Sequence, residues 1–328
     1  MAKSNGALII TLDFELYWGV FGHKILENYK NNLLGVRQVV PKLLDLFAEY
    51  HIHATWATVG FLFFESRQEL LAALPQERPD YKNKNICPYR HMEQVGENEA
   101  EDPLHFAPSL IKVIQTYPYQ EIGCHTFSHY FCLEKEQSPQ AFRADLQAAR
   151  QAARKFDVTL ESLVFPKNQI NGAYLPIMKE MGIKAYRGNE LSWLYQGRSA
   201  EEENPFRRAV RGADALVNIS GHNAYSREFI KRDFPFNIPS SRFLRPYVKK
   251  LEIIDFLKIG RILADLSYAA QNGLVYHLWW HPHNFGVNQA ENLSYLRKIL
   301  DHFKKLQDSF GIESLSMKDL SAQLLGEV

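Results

Sequence analysis

The sequence predicts an α/β protein in which about seven parallel strands form a closed or nearly closed barrel covered by helices. Short apolar strands alternate with amphipathic helices along most of the chain, and there is no internal repeat or low-complexity tract. This alternation favours a parallel sheet with helices on its outside. About seven strands suit one barrel better than two separate domains. Residues 1–328 are therefore predicted to form a single domain.

The predicted strands are apolar runs bounded by turn residues. The first is ALIITLDF at residues 7–14, and a helix follows in NLLGVRQVVPKLLDLFAEYH at residues 32–51. Further strands are predicted in IHATWATVG (52–60), EIGCH (121–125), SLVFP (162–166), IKAYRGN (183–189), GLVYHLWWH (273–281) and the start of IESLSMKDL (312–320). Helices are predicted in AYLPIMKEMG (173–182) and NLSYLRKILDHFKKLQDSFG (292–311).

The clearest helix signal follows the third strand. Ser138 is a suitable N-cap, and Pro139 stands at the first helical position. Apolar side chains then recur on one face at helical spacing, at Phe142, Leu146, Ala149, Ala153 and Phe156.

Two segments break the alternation of strands and helices. Residues from about 74 to 119 and from about 197 to 250 are polar and contain several prolines. Long irregular segments inside a compact domain are usually functional covers or disordered. Both are predicted to be insertions over one face of the barrel.

Composition and net charge limit the binding partners and the cellular compartment that can be expected. The net charge is +1, which gives no case for a nucleic-acid or membrane-surface partner. The three cysteines form no CxxC pair and suggest thiols in a reducing compartment. The first residues lack the pattern of a secretory signal, and no apolar stretch is long enough for a transmembrane helix. The expected location is the cytoplasm.

Three polar clusters stand at the ends of predicted strands: TLDFE, HTFSH and HLWWHPHN. In a parallel barrel, the carboxyl ends of the strands form the face where catalytic groups collect. Because side chains alternate along a strand, Asp13 and Glu15 are predicted to point to the same side. Two carboxylates in an apolar strand are costly to bury without a cation beside them.

These residue types suit metal-dependent hydrolysis. A carboxylate and two imidazoles are a plausible Zn²⁺ ligand set that leaves a position open for water. A second carboxylate can take the proton of the water, and a histidine across the pocket can protonate the leaving group. Histidine suits this role because it titrates near neutral pH.

Each cluster also has a simpler explanation. An aspartate at a strand end is more often a cap than a catalyst, and an isolated HxxxH is most often two unrelated histidines. His277 and His283 are interpreted as structural. Trp18, Tyr130, Trp193 and Trp280 are equally consistent with core positions and with sugar-stacking platforms. The coincidence of all three clusters at corresponding strand ends favours a site.

TLDFE, HTFSH, FPKNQ and HLWWHPH, in this order, resemble the polysaccharide deacetylase family, the NodB-like carbohydrate esterases of the family 4 type. The resemblance runs from about Ile9 to Phe285 and points to a branch without a secretion signal that is associated with surface polysaccharides. It implies a distorted (β/α) barrel of the NodB-homology type. It also implies metal-dependent removal of acetyl groups from carbohydrates.

The resemblance assigns roles to individual residues. Asp13 matches the catalytic base, and His125 and His129 match the metal ligands. Glu15 matches the metal-binding acid of a D-x-D variant, since Phe14 occupies the commoner position. The arginine that usually orients the base is replaced by Phe165, so Arg187, or less favoured Lys167, is expected to supply the cation. His281 matches the general acid, with His283 as the reserve.

The leading hypothesis is therefore a metal-dependent N-deacetylase of an acetylated sugar or glycan, with Zn²⁺ or another divalent transition metal as cofactor. Lys231, Arg232, Arg242 and Arg245 leave open a nucleotide- or lipid-linked substrate, although a solvated loop is the simpler reading. Two alternatives remain: an inactive carbohydrate-binding protein on the same fold, and a glycosidase of a related barrel, which needs two flanking acids.

Overall fold

The computed structural model describes residues 6–22, 25–195 and 205–327. The strands are β1 (Ala7–Phe14), β2 (Ala54–Thr58), β3 (Gln120–Cys124), β4 (Ser162–Val164), β5 (Ala185–Gly188), β6 (Phe236–Pro239), β7 (Arg242–Phe243), β8 (Val275–Trp280) and β9 (Glu313–Leu315). Every pairing between them is parallel. The sheet order is β6-β5-β4-β3-β2-β1-β8-β7, and β9 pairs with the start of β1.

The two edge strands of this sheet are consecutive in the chain. Only Ser240 and Ser241 separate β6 from β7, so the sheet curls round and the chain itself joins its two edges. The Ser240 N–H donates to the carbonyl of Gly188 on one side, and the Ser241 N–H donates to the carbonyl of His277 on the other, each at 2.8 Å. The predicted distorted (β/α) barrel is confirmed.

Helices surround the sheet. They are α1 (Tyr17–Val20), α2 (Leu26–Leu34), α3 (Val36–Glu49), α4 (Arg67–Ala72), α5 (Pro108–Thr116), α6 (Pro139–Arg154), α7 (Leu175–Glu180), α8 (Pro205–Asp214), α9 (Arg227–Ile230), α10 (Asp255–Asn272), α11 (Gln289–Phe310) and α12 (Met317–Leu325). The Ser138 hydroxyl caps α6 by accepting from the Ala141 N–H at 3.1 Å, as predicted. No helix in the described part of the chain is both long and apolar enough to span a bilayer.

The alternation of side chains along β1 separates two environments. Leu8, Ile10, Leu12 and Phe14 belong to the large core between the sheet and the helices. Ala7 and Ile9 belong to a second apolar cluster inside the barrel, which Leu320 and other side chains of α12 complete. Further along the same inward row the side chains become polar. The amino end of the barrel is therefore filled with apolar side chains, whereas the polar side chains of the candidate site lie at its carboxyl end.

The structure differs from the sequence prediction in three places. The predicted helix at 32–51 is divided at Gly35, where an added Cβ would lie 1.9 Å from the carbonyl oxygen of Gly286. The segment at 74–119 includes α5, which packs against α3 and β3 as an ordinary covering helix. The segment at 197–250 contributes β6 and β7 to the barrel wall, while residues 196–204 lie outside the described residues.

The absence of β6 and β7 from the sequence prediction has a physical cause. The β6–β7 segment, FNIPSSRF, is short, contains a proline and lacks a long apolar run. Each half of it is hydrogen-bonded to a different neighbour, so neither half needs the length or the pattern of a full strand.

Candidate active site

Asp13 forms the strongest polar contact at the carboxyl end of β1. Its two carboxylate oxygens accept from the two terminal nitrogens of Arg187 at 2.6 and 2.7 Å, and both side chains are buried. Arg187 stands on β5, on the opposite side of the barrel from β1. Burial works to raise the pKa of Asp13, but the charge and hydrogen bonds of Arg187 outweigh it and hold that pKa below its ordinary value. Asp13 is therefore ionised and fixed in orientation.

A layer of inward side chains supports this ion pair. Arg187 also donates to the hydroxyl of Thr11 at 2.9 Å and to the side-chain oxygen of Asn168 at 3.0 Å. His277 lies 3.0 Å from the same Thr11 hydroxyl, and burial lowers the pKa of His277 to about 3. The Trp279 ring covers the guanidinium, with 4.2 Å between its centre and Cζ of Arg187. His277 thus stays neutral and contributes to the support of Arg187.

Glu15 lies where two histidines converge. Its Oε2 atom is 3.2 Å from Nε2 of His125 and 3.1 Å from Nε2 of His129, and all three residues are buried. Burial favours a higher pKa for Glu15, but the charge of His281 and the neighbouring imidazoles of His125 and His129 overcome it, so its pKa lies well below normal. Ligand atoms of these three residues lie within 4.8 Å of one another. A divalent ion could be held among them.

The orientation of Glu15 depends on the absence of a side chain at Gly19. An added Cβ at this position would lie 1.8 Å from the carboxyl carbon of Glu15. Leu16, between the strand and α1, has a φ of 47°, which is unusual for a residue other than glycine. The chain therefore turns sharply after Glu15 and brings α1 against its carboxylate.

The loop carrying His125 and His129 is held by Asp145 on α6. The carboxylate of Asp145 accepts from the N–H groups of Phe127 and Ser128 at 2.6 and 3.1 Å, and from the Ser128 hydroxyl. Thr126 and His129 have φ values of 61° and 57°. The loop thus contains two left-handed residues, whose cost is of order 1–3 kcal/mol each. The buried hydrogen bonds that Asp145 accepts offset that cost.

His281 and His283 approach Glu15 from β8. Nε2 of His281 is 3.4 Å from Oε1 of Glu15 and 3.7 Å from Oδ2 of Asp13. Nε2 of His283 is 4.0 Å from the same Oε1 atom. His281 is the more exposed of the two, with 22% of its side chain accessible against 5% for His283. His281 is therefore better placed to reach both carboxylates and a molecule that enters the site.

Comparison with known proteins agrees with this architecture. The family model for polysaccharide deacetylases matches residues 34–186, which include His125 and His129. Over these residues the chain is similar to polysaccharide deacetylases. The match begins after Asp13 and Glu15 and ends one residue before Arg187, so it includes the loop with His125 and His129. Asp13, Glu15 and Arg187 lie outside the matched residues and meet this loop only in the folded structure. A search of curated proteins finds no match.

Solved structures with a similar fold include a candidate polysaccharide deacetylase, an allantoinase and a glucanotransferase. A candidate polysaccharide deacetylase from Mycobacterium smegmatis has a TM-score of 0.60 at 13% identity, over 98% of this chain and 92% of that one. The PuuE allantoinase has a TM-score of 0.57 at 11% identity, with 99% and 92% covered. The 4-α-glucanotransferase from Thermococcus litoralis has a TM-score of 0.51 at 12% identity, with 98% and 38% covered. At these identities the likeness concerns the fold.

Of the two cations expected beside Asp13, the structure places Arg187 there. Nζ of Lys167 lies 5.2 Å from the centre of the Phe131 ring instead. Burial lowers the pKa of Lys167 to about 8, against the opposing charges of Glu15 and Glu134. The cation beside Asp13 is therefore an arginine of β5.

Most of the aromatic residues considered as sugar platforms are core residues. Trp18, Tyr130 and Trp280 are at most 2% exposed, whereas Trp193 is 58% exposed. Within the basic stretch near β7, Arg242 is committed to the interior because it pairs with Asp214 and Asp265, both buried, whereas Lys231 and Arg232 are exposed. Arg242 is therefore unsuited to binding a phosphate at the surface.

Sequence reasoning missed Asp145, although a signal was present. Asp145 falls between Phe142 and Leu146 on the apolar face of α6, where a carboxylate must find buried donors. Thr11, Asn168 and Gly19 carry no comparable signal, because their roles depend on partners that are distant in the chain.

Replacement of Asp145 by asparagine should loosen the histidine loop. The amide NH₂ would face one of the two N–H donors of residues 127 and 128, and a buried donor without an acceptor costs about 1–3 kcal/mol. We expect the free energy of unfolding to fall by that amount, and zinc affinity to fall about 10–100-fold, as for other changes behind metal ligands. Urea unfolding and zinc titration measure both. Asp308→Asn, on an exposed part of α11, is the matched control and should change neither quantity.

Proposed function

We propose that this protein is a metal-dependent N-deacetylase that hydrolyses the acetamido group of a sugar or glycan to an amine and acetate. The proposal rests on the similarity of residues 34–186 to polysaccharide deacetylases and on the arrangement of two carboxylates, two loop histidines and one further histidine at the open end of the barrel. It extends that similarity to a reaction and to individual residues.

One observation in particular supports a metal ion in this proposal. Nδ1 of His125 lies 2.8 Å from the carbonyl oxygen of Val164, an atom that can only accept, so Nδ1 carries the proton. In the neutral ring, Nε2 then presents a lone pair to Oε2 of Glu15 at 3.2 Å. Two acceptors in this position repel each other unless a cation lies between them. Because His129 approaches the same oxygen, a divalent ion shared by three ligands suits the site better than a proton.

Glu15, His125 and His129 would hold the ion, with Zn²⁺ as the proposed occupant. A carboxylate with two imidazoles suits Zn²⁺ and other divalent transition metals, and leaves a coordination position for water. When bound, the ion would polarise the acetyl carbonyl and lower the pKa of a bound water.

Two proton transfers are then assigned to residues of the chain. Asp13 accepts a proton from the attacking water, and Arg187 keeps its carboxylate aligned. His281, in its protonated form, donates from Nε2 to the departing nitrogen. Nε2 of His281 lies 3.7 Å from Asp13 and 3.4 Å from Glu15. The proposed proton donor, His281, and the proposed base, Asp13, are therefore close enough to act on one bound acetamido group. The buried Thr11–His277 layer keeps water away from the far side of Asp13.

The proposal also extends to the substrate, the compartment and the domain. The substrate is an acetylated sugar or glycan of surface-polysaccharide metabolism, because that is the class the family acts on. The cytoplasm is the proposed compartment, because Cys87, Cys124 and Cys132 are buried free thiols. Residues 1–328 are proposed to act as one catalytic domain. Arg242 gives no support to a nucleotide- or lipid-linked substrate, since it is ion-paired inside the protein.

Product analysis tests the proposed reaction. The zinc-loaded protein is incubated with N-acetylglucosamine oligomers and with N-acetylated nucleotide sugars, and both acetate and new reducing ends are measured. We expect acetate alone, and a fall of about 10²–10⁴-fold in Asp13→Asn, the range over which a positioned acid or base acts. Reducing ends without acetate would indicate the glycosidase alternative. Sugar binding without either product would indicate the inactive carbohydrate-binding protein.

A further inference from the structure

The Glu15 carboxylate faces two separate pairs of histidines. Oε2 is turned to His125 and His129, while Oε1 is turned to His281 and His283 at 3.4 and 4.0 Å. Ligand atoms of Glu15, His281 and His283 also lie within 4.8 Å of one another. One carboxylate therefore takes part in two clusters, each with two imidazoles.

The orientation of His281 is set by Asn284. The backbone N–H of His281 donates to Oδ1 of Asn284 at 3.4 Å, while Nδ2 of Asn284 donates to the Tyr29 hydroxyl at 3.3 Å. These contacts fix which end of the amide faces His281. Nδ1 of His281 lies 3.2 Å from the same Oδ1 atom, so Asn284 also positions the imidazole ring. Nε2 of His281 therefore faces Oε1 of Glu15 at 3.4 Å, as Nε2 of His125 faces Oε2 on the other side.

His283 is arranged in parallel with His281. Their ring centres are 4.8 Å apart and their planes differ by 22°. A short 3-10 turn, Pro282–Phe285, directs both rings toward Glu15, and the Tyr29 ring packs edge-on against His283 with 5.5 Å between centres. Two imidazole nitrogens and a carboxylate oxygen are the ligand types that Zn²⁺, Co²⁺ and Ni²⁺ prefer.

We propose that Glu15, His281 and His283 form a second and weaker divalent-cation position, in which the Glu15 carboxylate bridges to the first. It is weaker because His283 is farther from Glu15 than the loop histidines are, and because a cation on Oε2 repels a second one on Oε1. This inference rests on the proposed function in one respect. A cation on Nε2 of His281 removes the proton donor, so excess metal inhibits the enzyme.

Metal binding tests the site without any need for activity. Equilibrium dialysis of the full chain against Zn²⁺ should give two classes of site, one tight and one at least tenfold weaker. In His283→Ala only the tight class should remain, and His283→Gln, which keeps more of the side-chain volume, should weaken the second class at least tenfold. His302→Ala, on the outer helix α11, is the control and should bind like the wild type. A single equivalent in the wild type, or two unchanged equivalents in both His283 variants, would overturn the second site.

Acetate release at increasing zinc concentration tests the consequence. The rate of the wild type should fall at least fivefold as the second equivalent binds, whereas in His283→Ala the ratio between high and low zinc should stay near one. Two equivalents of zinc without acetate release would support the second site while overturning the proposed function. Binding of a single equivalent of zinc, together with acetate release, would overturn the second site but not the proposed function.

Discussion

His125→Ala should abolish both metal retention and acetate release. The imidazole of His125 is anchored at Nδ1 by the Val164 carbonyl, so no other side chain can replace its Nε2 atom beside Glu15. We expect zinc affinity to fall by more than about 100-fold, beyond the range seen for residues behind the ligands. Acetate release should fall by about 10³-fold or more, since a bound metal contributes several kcal/mol to such reactions. Zinc content after dialysis and an acetate assay measure the two effects.

The matched control for this variant is His302→Ala. His302 is bonded to Ser267 on the outer helices and takes no part in the barrel interior. It should keep zinc and acetate release at wild-type levels, although it loses one hydrogen bond. If His125→Ala retained its zinc and its rate, the metal assignment and the proposed reaction would both be wrong.

Arg187→Met should destabilise the protein more than the double variant Asp13→Asn/Arg187→Met. The single change leaves a buried carboxylate without its cation, which costs about 3–5 kcal/mol, whereas removal of both charges avoids that penalty. A double-mutant cycle by urea unfolding measures the coupling between the two residues. Loss of Arg187 also removes the influence that lowers the pKa of Asp13. Any residual activity, which needs ionised Asp13, should therefore begin at higher pH than in the wild type.

Arg143→Met provides a stringent control for the Arg187 experiment. Arg143 forms a two-pronged pair with Glu180, like the pair of Arg187 with Asp13, but 37% and 59% of the two side chains are exposed. Because water screens such pairs, its removal should leave stability nearly unchanged. Equal losses at the two arginines would mean that burial of the Asp13 pair does not matter, contrary to the argument for Arg187.

Local patterns were sufficient to predict the barrel and most of its strands. β1 was predicted with its observed bounds, since eight apolar or inward residues lie between clear turn signals. The cap at Ser138 and the end of α11 at Gly311 follow equally local rules. β6 and β7 were missed because their hydrogen bonds come from two different neighbours, which no window of sequence reveals.

The residues of the candidate site were predictable by type but not by pairing. Strand alternation indicated that Asp13 and Glu15 share a side, and the structure places both inside the barrel. The contact between Asp13 and Arg187 joins residues 174 positions apart, so only the folded barrel could decide between Arg187 and Lys167. The role of Gly19 beside Glu15 depends on a sharp turn at Leu16 that its residue type does not suggest.

The short link between β6 and β7 limits the circumference of the barrel. From Pro239 to Arg242 the chain makes three Cα–Cα steps, which reach at most about 11 Å, so the two sheet edges are tethered covalently. The tether lies beside Gly188 and His277, next to the layer that aligns Arg187 with Asp13. A circular permutation that cuts the chain between Ser240 and Ser241 would let the ring splay at this level and draw Arg187 away from Asp13. Termini moved to an outer loop would leave the ring intact.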